Sequence, residues 1–294
     1  LNISRGSGFF FCGIIEEPVT TLSDKFIILN ISEFHIINSS ATLDICKEHK
    51  AVLEPCEVLE KRGFEITVLP VGDNGWPAPS ALEAALRPET VLISTMHANN
   101  ETGVELPLDK YAEVLQGHEA WWHVDAAQTY GKRNETLRNS RIDMISISGH
   151  KVFAPKGIGA LVHRRRGYQR APLMPLMFGG GQERGLRPGT LPVALIAALG
   201  LAAELADKEA DKRRLACEQF RQQVLGFLDG LGALVNGDLE NMLPHVINAS
   251  IRGVDAEAAI VMTKDLVAIS NGSACTSESY EPSHVLTAMG LEQD

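Results

Sequence analysis

Cysteine is scarce: the 294 residues hold five, Cys12, Cys46, Cys56, Cys217 and Cys275, at spacings that form no regular framework. An odd, scattered set in so long a chain excludes a disulfide scaffold and predicts a reducing, cytoplasmic setting. Metal-ligand patterns are lacking as well. No histidines or cysteines stand in a compact H-x-x-x-H or C-x-x-C arrangement, and Cys46, His49 and Cys56 are too irregularly spaced for a zinc site, so no metal is expected. No stretch approaches the roughly twenty apolar residues of a membrane span. The Phe9 to Ile15 run is short, contains Gly13 and leads into Glu16 and Glu17, which argues against a membrane partner and against a secretory signal. Positive charge is in deficit, with a formal net charge of -10. Nucleic acid, whose binding depends on Lys and Arg neutralising phosphates, is therefore not an expected partner. The one basic run, His163 to Arg166, follows the apolar stretch Ile158 to Val162 and reads as a solvated strand end. Repeats and low-complexity tracts are absent too.

What remains is the composition of an ordinary globular protein, 45% hydrophobic and 22% charged, long enough for two domains. From about Glu48 onward helical patterns alternate with short apolar runs, the signature of an α/β fold with a mainly parallel sheet flanked by helices. Val52, Leu53, Cys56 and Leu59 share one helical face that Gly63 can end, and Phe64 to Leu69 alternates as a strand. Ser80 with Glu83 suggests a capping box for a short helix ending near Arg87-Pro88. Further strands are predicted at Val91 to Met96, Trp122 to Val124, Met144 to Ile147 and Ile158 to Val162. Leu191 to Leu205 predicts one helix and the charged stretch from Asp207 to Arg214 the start of another. Beyond it, strands at His245 to Ile251 and Leu266 to Ile269 around a helix at Glu257 to Thr263 make a smaller α+β C-terminal domain. The expected organisation is thus an atypical segment over 1–46, a large domain over 47–211 and a small one over 212–294.

Ligands of open α/β sheets bind beyond the strand ends, which directs attention to three polar clusters there. Ser148-Gly149-His150-Lys151 follows an apolar strand, and a lysine held in such a pocket can be desolvated and made nucleophilic toward a carbonyl, although a solvated loop lysine is the plain alternative. His123-Val124-Asp125-Ala126-Ala127-Gln128 delivers an aspartate at the end of another strand. A buried carboxylate paired with a protonated ring nitrogen is how a protein makes pyridoxal phosphate an electron sink. Ligation of a metal by His123, Asp125 and His150 is the competing use of these groups. Gly179-Gly180-Gly181-Gln182-Glu183-Arg184, continuing to Arg187-Pro188-Gly189-Thr190, is a glycine-rich loop that could donate N–H groups to a phosphate or be only a turn. Cys275 sits among small polar residues in Asn271 to Ser277, as an exposed thiolate nucleophile must, or as an incidental loop cysteine can.

With these residues assembled, the stretch from Glu48 onward resembles the cysteine desulfurases of the NifS/IscS type, in the class-V aminotransferase family of fold-type I pyridoxal-phosphate enzymes. The resemblance runs through Glu48-His49-Lys50-Ala51-Val52-Leu53, His97-Ala98-Asn99-Asn100-Glu101-Thr102-Gly103, the Asp125 and Lys151 clusters, the triple glycine with Arg187 to Thr190, and Gly272-Ser273-Ala274-Cys275-Thr276-Ser277. The last motif, with Glu281-Pro282-Ser283, is similar to the long-loop housekeeping branch.

The resemblance implies a Schiff base on Lys151, His49 stacked on the cofactor ring, Asp125 on the ring nitrogen and Gln128 on the phenolic oxygen. Ser148 and His150 would bind the phosphate, with Thr190 reaching across from a second subunit of a homodimer. Asn100 would help to hold the substrate, L-cysteine. Cys275 would carry the persulfide to an acceptor or scaffold protein, in iron–sulfur cluster assembly or another thio-modification pathway, and could serve as a transient iron–sulfur ligand.

Three departures go with it. No counterpart of the family's Gly-Ala-Thr-Glu-like phosphate loop is visible in 1–46. His35 to Ser39 is only faintly similar to the strand before the stacking histidine, and Ala41 to Lys47 looks like an insertion that displaces His49. The sequence also stops short of the family's arginine-bearing strand. Weak cofactor binding and poor turnover are the expected results. A selenocysteine lyase or another β-eliminating relative, and a non-catalytic remnant that only binds sulfur-transfer partners, are the alternatives.

Overall fold

A computed structural model describes residues 12–15, 27–28, 42–46, 49–271 and 283–291, the first three stretches as strand backbone. Cys275 and the segment His35 to Ser39 lie outside the described residues. The chain divides into two compact units. The first takes Leu1–Leu69, Pro79–His97 and Pro107–Ala210, and the second Pro70–Ala78, Ala98–Leu106 and Asp211–Asp294.

The first unit is built on an eight-stranded sheet of β1 (Cys12–Ile15), β2 (Ile27–Ile28), β3 (Thr42–Cys46), β4 (Glu65–Leu69), β5 (Thr90–Met96), β6 (Trp121–Asp125), β7 (Met144–Ser148) and β8 (Gly159–His163), in the order β2-β1-β8-β7-β6-β5-β3-β4. β4, β3, β5, β6 and β7 run parallel, β8 is antiparallel to β7, and β1 is parallel to β8. The five expected strands are present with ends within one residue. Their near-continuous apolar runs are buried along their length in β5 to β8, as strands covered on both faces must be. The segment expected to be an insertion is a correction: Thr42 to Cys46 is a central strand, in register with both β4 and β5. Backbone pairing on two sides outweighs the weak periodicity of its side chains.

α1 (Lys50–Glu60) buries Val52, Cys56 and Leu59, and His49 caps it by accepting the Ala51 N–H at Nδ1 (3.1 Å). α2 (Pro79–Ala85) begins at Pro79, where a missing N–H costs nothing, so Ser80 lies inside the first turn and not at the cap. α3 (Leu108–Val114) and α4 (Asn134–Leu137) are short. α5 (Val193–Gly230) is one continuous helix where two were expected. No glycine or proline interrupts residues 201–225, and the charges read as a new beginning are internal pairs, Glu204 with Lys208 and Arg214 with Glu218. Leu199, Ala202, Ala203 and Ala206 form its buried stripe at helical spacing.

The basic run after β8 is a second correction, because two of its arginines are internal braces. Arg166 grips Asp143 with Nε and Nη2 (2.7 and 2.6 Å), Arg141 adds a third contact (3.0 Å), and the Trp122 N–H a fourth (2.7 Å). Arg166 also stacks on Trp121, 4.5 Å from the ring centroid, while Arg164 donates to the Ile142 carbonyl. Asp143 is only 2% exposed, and a carboxylate so buried requires such partners.

In the second unit, β9 (Leu234–Val235) pairs antiparallel with β10 (Ala249–Ser250), followed by α6 (Ala256–Thr263) and α7 (His284–Ala288). Only two residues of the strand expected over 245–251 form, and 266–269 is not a strand. The N–H groups of Leu266 and Val267 turn back to the Thr263 carbonyl (2.8 and 2.9 Å), and no described strand runs beside them to satisfy an extended backbone.

Candidate active site

The strands of the parallel sheet release their polar residues along one edge. His49 follows β3, His97 follows β5, Asp125 closes β6 beside Ser146 of β7, and Ser148 ends β7. Asp125 is 5% exposed. Burial pushes its carboxyl upward, and the Ala127 N–H (2.8 Å to Oδ1) and the positive charges of His49 and Lys151 pull it back. His49, Asp125 and Lys151, separated by as much as 102 positions, are therefore within electrostatic reach of one another's charge at this edge.

Lys151 is placed by backbone crowding. Residues Gly149–Val152 form a single 3-10 turn between β7 and β8, closed by Phe153 in the left-handed region (φ 69°). A Cβ at Gly149 would stand 2.5 Å from the Ile158 carbonyl oxygen, and one at Gly159 would stand 2.5 Å from that of Ile147, so both positions require glycine for the strands to approach. Behind the turn α5 packs closely: a Cβ on Gly131 would meet Ala206 at 2.8 Å and Val152 at 3.1 Å. Ser148 Oγ and His150 Nδ1 are hydrogen bonded (3.1 Å), and partial burial with the charges of Lys151 and Lys156 lowers the His150 imidazole, keeping it neutral near pH 7.

His123, which the sequence left open as a metal ligand, takes other work. His123 is held between Ser94 (2.8 Å at Nδ1) and Ser146 (2.7 Å at Nε2), and burial pushes it down to about 3. His97 is likewise buried, bonded to Thr129 (2.8 Å) and Thr136 (3.3 Å), and lowered to about 3 by burial and by Arg133. Among the described residues no three His, Cys, Asp or Glu gather as a metal site.

A family model described as aminotransferase class-V matches residues 19–291, and so takes in part of the 1–46 segment. The cysteine desulfurase IscS of Vibrio vulnificus is 42% identical over 282 residues, 96% of this chain and 69% of that protein. The crystal structure of DndA from Streptomyces lividans superposes with a TM-score of 0.76 at 48% identity, covering 85% of this chain and 71% of that one. A structure of SspA in complex with cysteine does so with a TM-score of 0.70 at 35% identity, covering 87% and 71%. The chain belongs to the cysteine desulfurases of the class-V aminotransferase family. Its fold is the fold-type I arrangement expected from sequence, a mainly parallel sheet flanked by helices.

For a cysteine desulfurase the donor set at the sheet edge fits pyridoxal phosphate. A lysine amine stands at a fixed turn, a buried carboxylate lies within reach of its charge, and a hydroxyl and an imidazole sit two residues apart for phosphate oxygens. Gln128 is half-buried on the turn after β6, and its carbonyl accepts from Lys132 (2.8 Å). Thr190 is exposed on the glycine-rich loop, which Gln182 ties off by accepting the Gly189 N–H (3.0 Å). Asn100 belongs to the second unit and is half-buried in a turn. The sequence did not reveal the Ala127 amide as the partner of Asp125, although an Asp two residues before a free N–H is a common turn pattern.

Proposed function

We propose that this chain is a pyridoxal-phosphate-dependent cysteine desulfurase that takes sulfur from L-cysteine, leaves L-alanine, and carries the sulfur as a persulfide on Cys275. The observation that supports this most is the shared position of Lys151 and Asp125 at the carboxyl edge of the sheet, in a chain similar to cysteine desulfurases over nearly all its length. When bound, the cofactor supplies an electron sink for the bonds at the substrate's α- and β-carbons. Lys151 holds the cofactor covalently and moves the α-proton. Asp125, whose burial raises its carboxyl while the charges of His49 and Lys151 pull it back, would accept the ring N–H and hold that nitrogen positive. His49 covers the ring face, Gln128 donates to its phenolic oxygen, and Ser148 with His150 receives the phosphate. Asn100 orients the substrate, and the Cys275 thiolate attacks its sulfur.

Thr190 completes the phosphate site of a second subunit. The homodimer this requires is supported by the apolar side chains of the same loop region, where Met177 and Phe178 are exposed, Phe178 at 79%. The first unit is then the cofactor domain and the second the small domain. The acceptor is a protein of iron–sulfur cluster assembly or of another thio-modification pathway, and the setting is cytoplasmic. Among the described residues no helix is long and apolar enough to cross a membrane.

The test compares two variants of the purified chain given cofactor. Lys151→Ala is expected to lose the yellow chromophore, and Cys275→Ala to keep it while losing sulfur release from cysteine, because the first residue bonds the cofactor and the second acts later. Sulfide release at the parent rate from Cys275→Ala would remove that residue from the reaction. Selenide as the sole product, from selenocysteine only, would replace the desulfurase with a lyase. A chain that stays colourless after cofactor is added would be a scaffold.

A further inference from the structure

The turn after β6 carries both residues read as partners of the cofactor ring, Asp125 and Gln128, and His97 holds it at both ends. The His97 main-chain N–H donates to the Asp125 carbonyl (3.0 Å), and its ring Nδ1 bonds Thr129 Oγ1 (2.8 Å), the hydroxyl directly after Gln128. All of these residues belong to the first unit. Within the turn the Thr129 and Tyr130 N–H groups return to the Ala126 carbonyl (3.0 and 2.8 Å), and the Ala126 N–H goes to the Ser146 carbonyl of β7 (3.0 Å). Proton counting fixes what each ring nitrogen of His97 does. Thr136 Oγ1 lies 3.3 Å from Nε2 and gives its own proton to the Arg133 carbonyl (3.0 Å), so Nε2 is the N–H donor of that pair. Burial, reinforced by Arg133, lowers the imidazole to about 3, which leaves it a single proton near pH 7. Nδ1 is therefore bare and accepts the Thr129 hydroxyl. The reverse tautomer would leave the Thr129 proton with no acceptor among the described residues, at a fully buried position.

We propose that His97 is a positioning residue for the cofactor: as the Nε2–H tautomer it ties Thr129 to the end of β5, and so sets the direction in which the turn presents the Asp125 carboxylate and the Gln128 amide. A bond at one end alone would leave the turn free to rotate about the other. With both ends held to one residue, the four positions from Asp125 to Gln128 keep a fixed place relative to β5. The role rests on the reading of Asp125 and Gln128 as ring partners. His97 itself, 1% exposed, acts only through them.

Four variants of the full chain separate the two bonds of the ring. Asparagine sets an amide oxygen near the Nδ1 position, so His97→Asn keeps an acceptor for Thr129, whereas His97→Gln sets its amide near Nε2 and keeps only the bond to Thr136. Thr129→Val removes the hydroxyl and Thr129→Ser restores it. Each is titrated with pyridoxal phosphate, the absorption maximum of the bound chromophore is recorded, and urea unfolding is followed without cofactor. Loss of one ordinary hydrogen bond from the turn predicts about five- to tenfold weaker cofactor binding in His97→Gln and Thr129→Val, with a displaced absorption maximum, while His97→Asn and Thr129→Ser stay within about twofold of the parent. In the labelled, cofactor-free parent, the imidazole signal that His97→Gln lacks should report a proton on Nε2 and none on Nδ1 by NMR; the opposite tautomer overturns the assignment. Equal weakening by His97→Asn and His97→Gln, or easier unfolding of His97→Gln with cofactor affinity and absorption unchanged, makes His97 a core residue only and overturns the role. If neither His97 variant folds, Thr129→Val against Thr129→Ser decides it in the same way. A parent chain that takes up no cofactor sinks the reading of the site and this role together, whereas a parent that binds it beside four variants that bind it equally well sinks this role alone.

Discussion

Asp125→Asn separates a functional carboxylate from a structural one, because the two roles predict changes of opposite sign. The carboxyl group is buried, and burial raises it, so its ionised form costs folding energy that the Ala127 amide and the charges of His49 and Lys151 only offset. Asparagine keeps an oxygen for the Ala127 N–H and removes the charge. Folding stability should stay level or rise by about 1 kcal/mol, as when a buried charge is replaced without breaking its hydrogen bond. Cofactor binding should move the other way. A ring N–H paired to a neutral amide loses a charge-assisted hydrogen bond, about 1.5 to 3 kcal/mol, or roughly ten- to a hundredfold in affinity. Urea unfolding without cofactor and spectrophotometric titration with pyridoxal phosphate measure the two quantities on one preparation. A variant that unfolds more easily by about 2 kcal/mol and binds cofactor as tightly as the parent would refute the reasoning and make Asp125 a structural residue.

Acid should destabilise the fold through His97 and His123. Both are held neutral at about 3 against 6.5 when unfolded, so the stability they contribute is complete above pH 6.5 and is lost as pH falls toward 3. Each loses about 1.4 kcal/mol per pH unit, and unfolding free energies at pH 7.5 and 5.5 should differ by about 2 to 3 kcal/mol; a flat profile contradicts the assignment. Asp143→Ala should cost about 3 to 5 kcal/mol, because Arg141, Arg166 and the Trp122 N–H lose one shared, buried acceptor, and a loss below about 1 kcal/mol in urea unfolding would show that water replaces it. Light scattering should give twice the chain mass for the protein with cofactor; a monomer that holds cofactor tightly would exclude the shared phosphate site.

By itself the sequence determined the sheet strands and the residue types at their ends, because both are local. Burial on two faces forces unbroken apolar runs such as Val91 to Met96, and a strand that ends at a ligand edge must stop on polar residues such as Asp125 or Ser148. Residues with no local signature were decided only in three dimensions. Thr42 to Cys46 has no clear period, and it is a central strand because β4 and β5 pair with it from either side. Leu266 to Ile269 has the composition of a strand and is not one, since no described neighbour offers it hydrogen bonds. The arginines after β8 look like solvated charge in sequence, yet Arg166 faces an aspartate 23 positions earlier. The bond from Ser283 to Glu101 spans 182 positions, and no spacing rule links such a pair. Local pattern reports what each segment can bury, while the partner of a buried charge or of an open strand edge is set by which distant segment the fold brings beside it.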